Sequence, residues 1–323
     1  PNINNQPNDS IQTMVRMTVS EMLLNMVWTP IDNMKEINSV ANWMWASKNS
    51  KDANLLNIAV NTLVKSVNYL GFSINGGKDS LSMSVDNITE TIKSPNTLVL
   101  GGYTNCIDLN NIITPNLKKT NSFLVYINIG NEYNLGGTIF SDIYNKNINL
   151  INKDTNNLCD IKDLGVLKKI FKLIQKYIKM NKILSGHDIS DGGLITTICE
   201  MSISSNIGIE IDYSIRRYDY IDFFFNENPG IVIEVSRNNI DYIINDLLSN
   251  NMIPIILGNT IVENVIDIKY NDKNILNEKI EDIRFLWEKT SYDLEKKQAN
   301  IKCINQEIKN CYNRKIPKFN VSN

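Results

Sequence analysis

Apolar residues recur at regular steps along the first hundred positions of the chain. Between residues 11 and 28 they fall three and four apart, which predicts an amphipathic helix. A second helical pattern covers residues 53–69 and is predicted to end at Gly71. The stretch that follows, FSINGGKDSLSMSV, is predicted to form a strand, a glycine turn and a second strand, and residues 97–103 another strand.

Strands and helices alternate in the remaining two thirds of the chain. Strands are predicted at 123–129, directly before Gly186, at 231–235 and at 253–257. Helices are predicted at 164–180, 194–204 and 239–248. This alternation predicts an α/β fold. The polar segment 113–122 is the best candidate for a domain boundary, and from about residue 287 a polar helical connector is expected.

The composition is that of a globular chain without a strong charge. With 323 residues and 42% hydrophobic content, about two domains can be expected. The net charge of -2 argues against nucleic acid or membrane partners. Five scattered cysteines and one histidine argue against a zinc site. No apolar run is long enough to span a membrane, and the opening lacks the apolar core of a signal peptide, so a cytoplasmic protein is expected. Residues 1–10, which begin with proline rather than methionine, are predicted to be a linker.

The sequence NKILSGHDISDGG, residues 181–193, is the strongest candidate for a functional site. Asp188 follows a predicted buried strand, where a carboxylate is costly unless it is paired or bound to a metal. His187 could be a general base or could make a structural hydrogen bond. Asp191 could act in the site or could cap the helix that follows.

Two other groups of residues could carry chemistry. Glu21 and Asn25 share one helix face and could supply two oxygen ligands to Mg²⁺, although such pairs also occur on solvated faces. GGKDS, residues 76–80, does not fit a phosphate-binding P-loop, because Phe72 stands where the first glycine is required and Asp79 where a serine or threonine is required. A tight glycine turn with an exposed lysine is the alternative.

Five motifs, in this order, resemble the large form of phosphoribosylformylglycinamidine synthase: SEMLLNMVWTPI, SVANWMW, GGKDSLSM, GHDISDGGL and FNENPG. The resemblance covers the chain from about residue 11. It implies a module like aminoimidazole ribonucleotide synthetase, the second of two tandem copies that pack about a pseudo-twofold axis. A ferredoxin-like α/β N-terminal half would cover residues 11–115 and a second α/β half residues 116–285. Residues 286–323 would be the helical connector toward a glutaminase domain.

The resemblance also implies an activity and a set of ligands. In this family an ATP-dependent ligase converts formylglycinamide ribonucleotide and glutamine to formylglycinamidine ribonucleotide in purine biosynthesis. Glu21, Asn25 and Asp188 match positions that hold Mg²⁺, and Ser190 matches a contact to ATP or ADP. GGKDS is expected to turn Lys78 toward the phosphate groups, so the further nucleotide contacts expected are Lys78, Asp79 and Ser80.

The family's remaining machinery is expected outside the sequence. The resemblance places its catalytic histidine and a fourth metal ligand before Pro1, and the glutaminase residues after Asn323, so no catalytic residue is assigned here. The expected partners are the first synthetase copy and the glutaminase domain.

Two other interpretations stay open: a homodimeric enzyme of the aminoimidazole ribonucleotide synthetase type, and a non-catalytic half that holds ADP as a structural cofactor.

Asn228 and Pro229 depart from the family pattern and are expected to alter the loop that carries Glu227. Gly101 and Gly102 depart from it as well.

Overall fold

The computed structural model describes residues 7–130, 132–146, 157–214 and 219–312. Its first half contains a three-stranded sheet in which β1 (Asn38–Met44) is central. On one side β1 pairs in parallel with β2 (Ser73–Ser80), and on the other it pairs antiparallel with β5 (Thr97–Tyr103). The short strands β3 (Ser84–Asp86) and β4 (Thr91–Lys93) form a separate hairpin.

Two long helices accompany this sheet. Helix α1 (Pro7–Met26) confirms the first predicted helix, although it includes residues 7–10, which were expected to be part of a linker. Helix α2 (Ser50–Leu70) begins where the Asn49 side chain accepts a hydrogen bond from the Lys51 amide. It ends, as predicted, at Gly71, whose φ of 94° is left-handed.

The predicted glycine turn at GGKDS is wrong, because these residues belong to β2. Gly77 lies against the neighbouring strand, where a β carbon would sit 2.0 Å from the carbonyl oxygen of Ala41. The glycine therefore permits a close approach of two backbones rather than a reversal of the chain. β2 is an edge strand, and nearly all of its residues are exposed.

A seven-stranded sheet forms the second half, in the order β12-β11-β8-β10-β6-β9-β7. The strands are β6 (Phe123–Asn128), β7 (Ser185–Asp188), β8 (Gly208–Tyr213), β9 (Gly230–Val235), β10 (Pro254–Ile261), β11 (Val265–Tyr270) and β12 (Lys273–Lys279). β7 is an edge strand that pairs antiparallel with β9. Its last residue is Asp188, so the carboxylate that the sequence singled out stands at the end of a strand.

The helices of this half are α3 (Ile139–Lys146), α4 (Leu164–Lys179), α5 (Gly193–Ser205), α6 (Tyr220–Phe225), α7 (Ile240–Ser249), α8 (Ile280–Glu295) and α9 (Ile301–Cys311). Helices α4, α5 and α7 confirm the predicted ones to within two residues. Helix α8 begins earlier than the predicted connector and crosses its expected start at residue 286. No helix in the described ranges is long and apolar enough to cross a membrane.

The two halves share an apolar core. Val15 and Leu23 of α1, Ile170 of α4 and Ile233 of β9 are fully buried in one cluster. Arg16 of α1 also forms an ion pair of 2.6 Å with Asp160, in the segment before α4. Since α1 packs on both halves, it is held firmly beside the end of β7. The boundary near residue 115 stays a prediction, and the two sheets consist of residues on either side of it.

Candidate metal and nucleotide site

The end of β7 lies beside the C-terminal half of α1. Across 169 positions of sequence, the Ser190 hydroxyl donates a hydrogen bond of 3.1 Å to Oε1 of Glu21. Asp188 is close enough for its negative charge to affect the ionisation of Glu21. The structure thus brings together Glu21, Asn25, Asp188 and Ser190, four of the seven site residues predicted from the sequence.

Glu21 and Asn25 face open space, whereas their neighbours Met22, Leu23 and Leu24 are buried. Asn25 Nδ2 donates to Oε1 and to the backbone oxygen of Glu21, both at 3.0 Å. Although Glu21 is exposed, the protein around it removes part of its hydration, which raises its pKa, and the negative charge of Asp188 raises that pKa further. The repulsion between the Glu21 and Asp188 carboxylates would be relieved by a cation bound between them.

Asp188 is 4% exposed and its two oxygens differ in environment. Oδ1 lies 3.4 Å from the indole nitrogen of Trp28 and 3.3 Å from Nδ1 of His187. The indole packs on Gly186, where a β carbon would lie 2.2 Å from Cζ3 of Trp28. The glycine before His187 is therefore needed for Trp28 to reach the carboxylate.

His187 is held between two carboxylates. Its Nε2 lies 3.1 Å from Oε2 of Glu200 on α5, and Oε1 of Glu200 accepts a hydrogen bond of 3.1 Å from the indole nitrogen of Trp287 on α8. Burial lowers the pKa of His187, but the hydrogen bonds to Asp188 and Glu200 outweigh it and raise the pKa to about 9. Of the two roles open for His187, this geometry favours the structural one, because an imidazole that donates from both nitrogens has no lone pair for a general base.

Two cavities adjoin these residues, and both are lined by Glu21, Asn25, Ser190 and Asp191. The first, of about 570 Å³, lies between α1, β5 and the loop that connects α6 to β9, and has Met22, Leu98 and Pro229 in its walls. Its described lining contains three carboxylates and neither lysine nor arginine.

The second cavity, of about 500 Å³, lies on the other side of Asp188. Its walls include His187, Glu200, Arg284 and Trp287. Arg284 is directed away from the carboxylates, because it donates to the backbone oxygen of Ile203 at 2.7 Å and to the side chain of Asn206. The two cavities therefore meet at a group of carboxylates that no described basic side chain neutralises except His187.

The loop that carries Glu227 is anchored from several sides. The Glu227 carboxylate accepts hydrogen bonds from the amides of Gly192, at 2.8 Å, and Ile139, at 2.9 Å. Asn228, one of the departures from the family pattern, is fully buried, accepts from the Asp160 amide and donates to the Glu132 carbonyl oxygen. An asparagine here can both donate and accept, so it joins two neighbouring segments to the loop.

Asp191 does not cap α5. The residue at the start of this helix is Gly192, which has a left-handed φ of 85° and no side chain to cap with. The amide of Gly192 is taken by Glu227 instead. The capping interpretation of Asp191 is therefore wrong, and the Asp191 carboxylate is exposed toward both cavities.

The remaining predicted residues lie elsewhere. Lys78 is exposed on β2 and donates to the Ser80 hydroxyl at 2.8 Å, and neither of them nor Asp79 lines the two cavities beside Ser190. Their contact with a nucleotide stays a prediction.

Trp287 and Glu200 were not predicted from the sequence. The signal for Glu200 was a single charged residue within an otherwise uncharged helical stretch, LITTICEMSI.

The donor set at the junction of the cavities suits a hard cation. The described residues contain no group of three or more His, Cys, Asp or Glu side chains placed to hold a metal ion together. Glu21, Asp188 and the amide oxygen of Asn25 supply oxygen ligands only, which is the preference of Mg²⁺, an ion that usually keeps waters and phosphate oxygens as well. The residues fit such an ion with part of its coordination supplied from outside this set.

Comparisons with known proteins agree with the fold and with the motifs. The family described as FGAR-AT PurM_N-like domain matches residues 8–105, and the family described as AIR synthase related protein, C-terminal domain, matches residues 136–265. These two matches define the class: an α/β synthetase module of the PurM-like type.

Curated relatives narrow this class to one enzyme family. A probable phosphoribosylformylglycinamidine synthase of Arabidopsis thaliana is 31% identical over 96% of this chain, and phosphoribosylformylglycinamidine synthases of Dictyostelium discoideum and Homo sapiens are 33% and 30% identical over 97% and 94% of it. The chain spans 22%, 25% and 23% of the length of these relatives. The chain belongs to the family of the PurM-like synthetase region of large phosphoribosylformylglycinamidine synthases.

Solved structures support the fold alone. Thermotoga maritima PurL complexed with FGAR is 9% identical, with a TM-score of 0.62, and the match covers 85% of this chain and 44% of that one. T. maritima PurL complexed with ATP gives 12% identity and a TM-score of 0.59 over 86% and 41%. E. coli HypE, a hydrogenase maturation protein, gives a TM-score of 0.55 at 14% identity over 82% and 79%. Since HypE shares this fold, function has to be argued from the site.

Proposed function

We propose that this chain is the second synthetase copy of a phosphoribosylformylglycinamidine synthase and that it holds a magnesium-bound adenine nucleotide. Glu21, Asn25 and Asp188 are the proposed ligands of the ion, and Ser190 is the proposed contact to the nucleotide. The observation that carries the proposal is that Glu21, Asn25 and Asp188 line one cavity, whose described arginine, Arg284, is directed away from the carboxylates. A divalent cation would neutralise the repulsion between these carboxylates and offer its free positions to phosphate oxygens.

The hydrogen bonds of Asn25 and Glu21 determine which of their oxygen atoms can bind a cation. Asn25 uses its amide nitrogen on Glu21, so its oxygen is available to a cation. Glu21 receives two hydrogen bonds on Oε1, from Asn25 and Ser190, which leaves Oε2. When bound, the ion would screen the negative charge of the nucleotide phosphates and of any phosphoryl group in transfer.

The whole reaction of the family is assigned to the complete enzyme rather than to this site. In that reaction the amide oxygen of formylglycinamide ribonucleotide is phosphorylated by ATP, and ammonia from glutamine then displaces phosphate. The only histidine, His187, is held by Asp188 and Glu200 and is not free to move a proton. A nucleotide that is held rather than turned over is the role that these contacts support, and it would stabilise the fold by mass action.

Binding of Mn²⁺, which replaces Mg²⁺ at oxygen sites, tests the proposal. Electron paramagnetic resonance would follow Mn²⁺ binding with and without ADP, for the wild-type chain, Glu21→Gln, Asp188→Asn and Asp32→Asn. The last is a matched control, because Asp32 is a surface residue paired with Lys179. We expect ADP to strengthen Mn²⁺ binding in the wild type and the control, and either ligand substitution to weaken it about tenfold or more. The proposal would be overturned if ADP left the affinity of the wild type for Mn²⁺ unchanged, or if Asp188→Asn bound Mn²⁺ like the wild type.

The outer face of the first sheet is the proposed contact with another synthetase copy. The register places Val40 beside Gly76 and Gly101 on this face, together with the exposed Val99 and Tyr103. Around Val40 the two glycines leave a flat apolar patch, of the kind that can pair with a second sheet. Lys78 lies on the same face, opposite Asn42, so it would reach a nucleotide only across such a contact.

Sedimentation velocity tests this contact. The wild-type chain alone should self-associate through the exposed face, because a second copy of the chain can take the place of the other synthetase copy. Val99→Glu should abolish association, whereas Val262→Glu, at a 76% exposed position in a turn after β10, should leave it unchanged. Equal association of both variants would contradict the assignment of this face.

A further inference from the structure

We infer that His187 is a positioning residue for Asp188, and that Glu200 and Trp287 connect it to helix α8, so that the position of α8 sets the affinity of the metal site. The inference rests on the proposed function, since it concerns the ion that Asp188 is proposed to bind. It concerns residues that do not touch the ion.

The two donors to Asp188 meet on the same oxygen. Trp28 and His187 both approach Oδ1, at 3.4 and 3.3 Å. A carboxylate held by two donors on one oxygen has its plane fixed, and its second oxygen remains for a ligand. Oδ2 is therefore the atom assigned to the ion, and rotation of Asp188 out of this orientation would weaken binding.

His187 can hold Asp188 only if its own ring is held. Glu200 fixes the far nitrogen at 3.1 Å, and Glu200 is fixed in turn by the Trp287 indole nitrogen at 3.1 Å. The result is a continuous series of polar contacts: a hydrogen bond from Trp287 to Glu200, and ion-pair contacts from Glu200 to His187 and from His187 to Asp188. Groups of this kind behind a metal ligand typically change affinity by about 10–100-fold when they are removed.

Packing does not account for Trp287. The residue is 58% exposed, so its removal from α8 would uncover little apolar surface. The helix is attached to α5 by Arg284, which is 7% exposed and donates to the Ile203 carbonyl oxygen. Since Arg284 already attaches α8 to α5, the Trp287 hydrogen bond is not needed to hold the helix, and its effect falls on the orientation of Glu200.

A double-substitution cycle on Mn²⁺ affinity tests the connection. Trp287→Phe keeps the ring and removes the donor, and we expect it to weaken binding of Mn²⁺ with ADP about threefold to tenfold. Glu200→Ala should weaken it about tenfold and change the line shape of bound Mn²⁺, because Asp188 would reorient. In the Glu200→Ala background, Trp287→Phe should have no further effect. Trp43→Phe, the same change in the first sheet, is the control.

The outcomes separate this inference from the function. Wild-type protein that fails to bind Mn²⁺ with ADP would refute the proposed function. Two results would refute the connection and leave the proposed function intact. In the first, Asp188→Asn loses Mn²⁺ binding but Trp287→Phe binds like the wild type. In the second, the losses of affinity in Trp287→Phe and Glu200→Ala add up in the double variant. The melting temperature of Trp287→Phe should equal that of the wild type, so a drop in affinity together with a drop in stability would assign Trp287 a merely structural role.

Discussion

Glu234 offers the sharpest test of how the second half of the molecule is held together. Its side chain on β9 is fully buried, and each carboxylate oxygen accepts two hydrogen bonds. Oε1 receives the Lys119 amide at 3.0 Å and the Ser122 hydroxyl at 2.7 Å. Oε2 receives the Lys118 amide at 2.8 Å and the Ser185 hydroxyl at 2.9 Å. One carboxylate thus joins the connection between the two sheets to the strand that leads to Asp188.

The cost of Glu234→Gln follows from this geometry. One oxygen becomes an amide nitrogen that faces a backbone amide and a hydroxyl. The hydroxyl can turn and accept, but the backbone amide cannot, so one donor loses its partner at about 1–3 kcal/mol. With the loss of charge at the other oxygen, we expect a total of about 2–3 kcal/mol, or about 3–5 °C in melting temperature for a chain of 323 residues. Glu234→Ala leaves all four donors without their acceptor and creates a cavity, so it should lower the free energy of unfolding by about 4 kcal/mol or more.

Urea unfolding at neutral pH, followed by circular dichroism, measures these costs. Glu210→Gln is the control, because Glu210 lies in the same sheet, is 49% exposed and, among the described residues, makes one long ionic contact of 3.4 Å, to Lys269. The control should unfold within about 0.5 kcal/mol of the wild type. If Glu234→Gln did the same, the hydrogen bonds of Glu234 would contribute little and this reasoning would be wrong.

Two further substitutions test the site and a pH dependence. Gly186→Ala would place a methyl group against Trp28, so we expect a loss of about 1–3 kcal/mol in thermal unfolding together with weaker Mn²⁺ binding; an unchanged affinity would show that Trp28 does not orient the carboxylate. Burial raises the pKa of Asp246, but hydrogen bonds from Lys176 and Tyr177 outweigh it and hold that pKa below its usual value. The stabilisation is therefore present above the unfolded pKa of about 3.9 and is lost as the pH falls through the folded value. Asp246→Asn should cost about 1 kcal/mol in urea unfolding at pH 7, after allowance for solvent screening, and progressively less below about pH 4; a constant difference would contradict the ionic origin.

The elements that the sequence predicted well have long, regular patterns. Helix α4 has apolar residues on one face over 16 positions, and α2 ends at a glycine that adopts a left-handed φ. Strand β12 was missed because exposed residues dominate it, which leaves no clear alternation of apolar and polar positions. The glycines of β2 indicated a turn because close approach of two backbones and chain reversal require the same residue type.

The site was predictable in part for a similar reason. Glu21 and Asn25 were four apart on one helix, and Asp188 followed an apolar run, so local patterns indicated each of them. The contact of His187 with Glu200, and of Glu200 with Trp287, depends on how α5 and α8 pack beside β7. Spacing along the chain contains no record of that packing, so this part of the site required the structure.

The positions of the four tryptophans allow intrinsic fluorescence to report on the candidate site. Trp28 is buried against Gly186 beside Asp188, whereas Trp287 is open to solvent in the wall of the second cavity beside Glu200. Trp43 of β1 and Trp45, which directly follows β1, lie together, with ring centroids 6.0 Å apart. A chain in which this second pair is replaced by phenylalanine would emit only from the two indoles that bond to carboxylates of the site. Its emission wavelength and quenching by iodide would then distinguish a rearrangement on the α1 side from one on the α8 side, without any label.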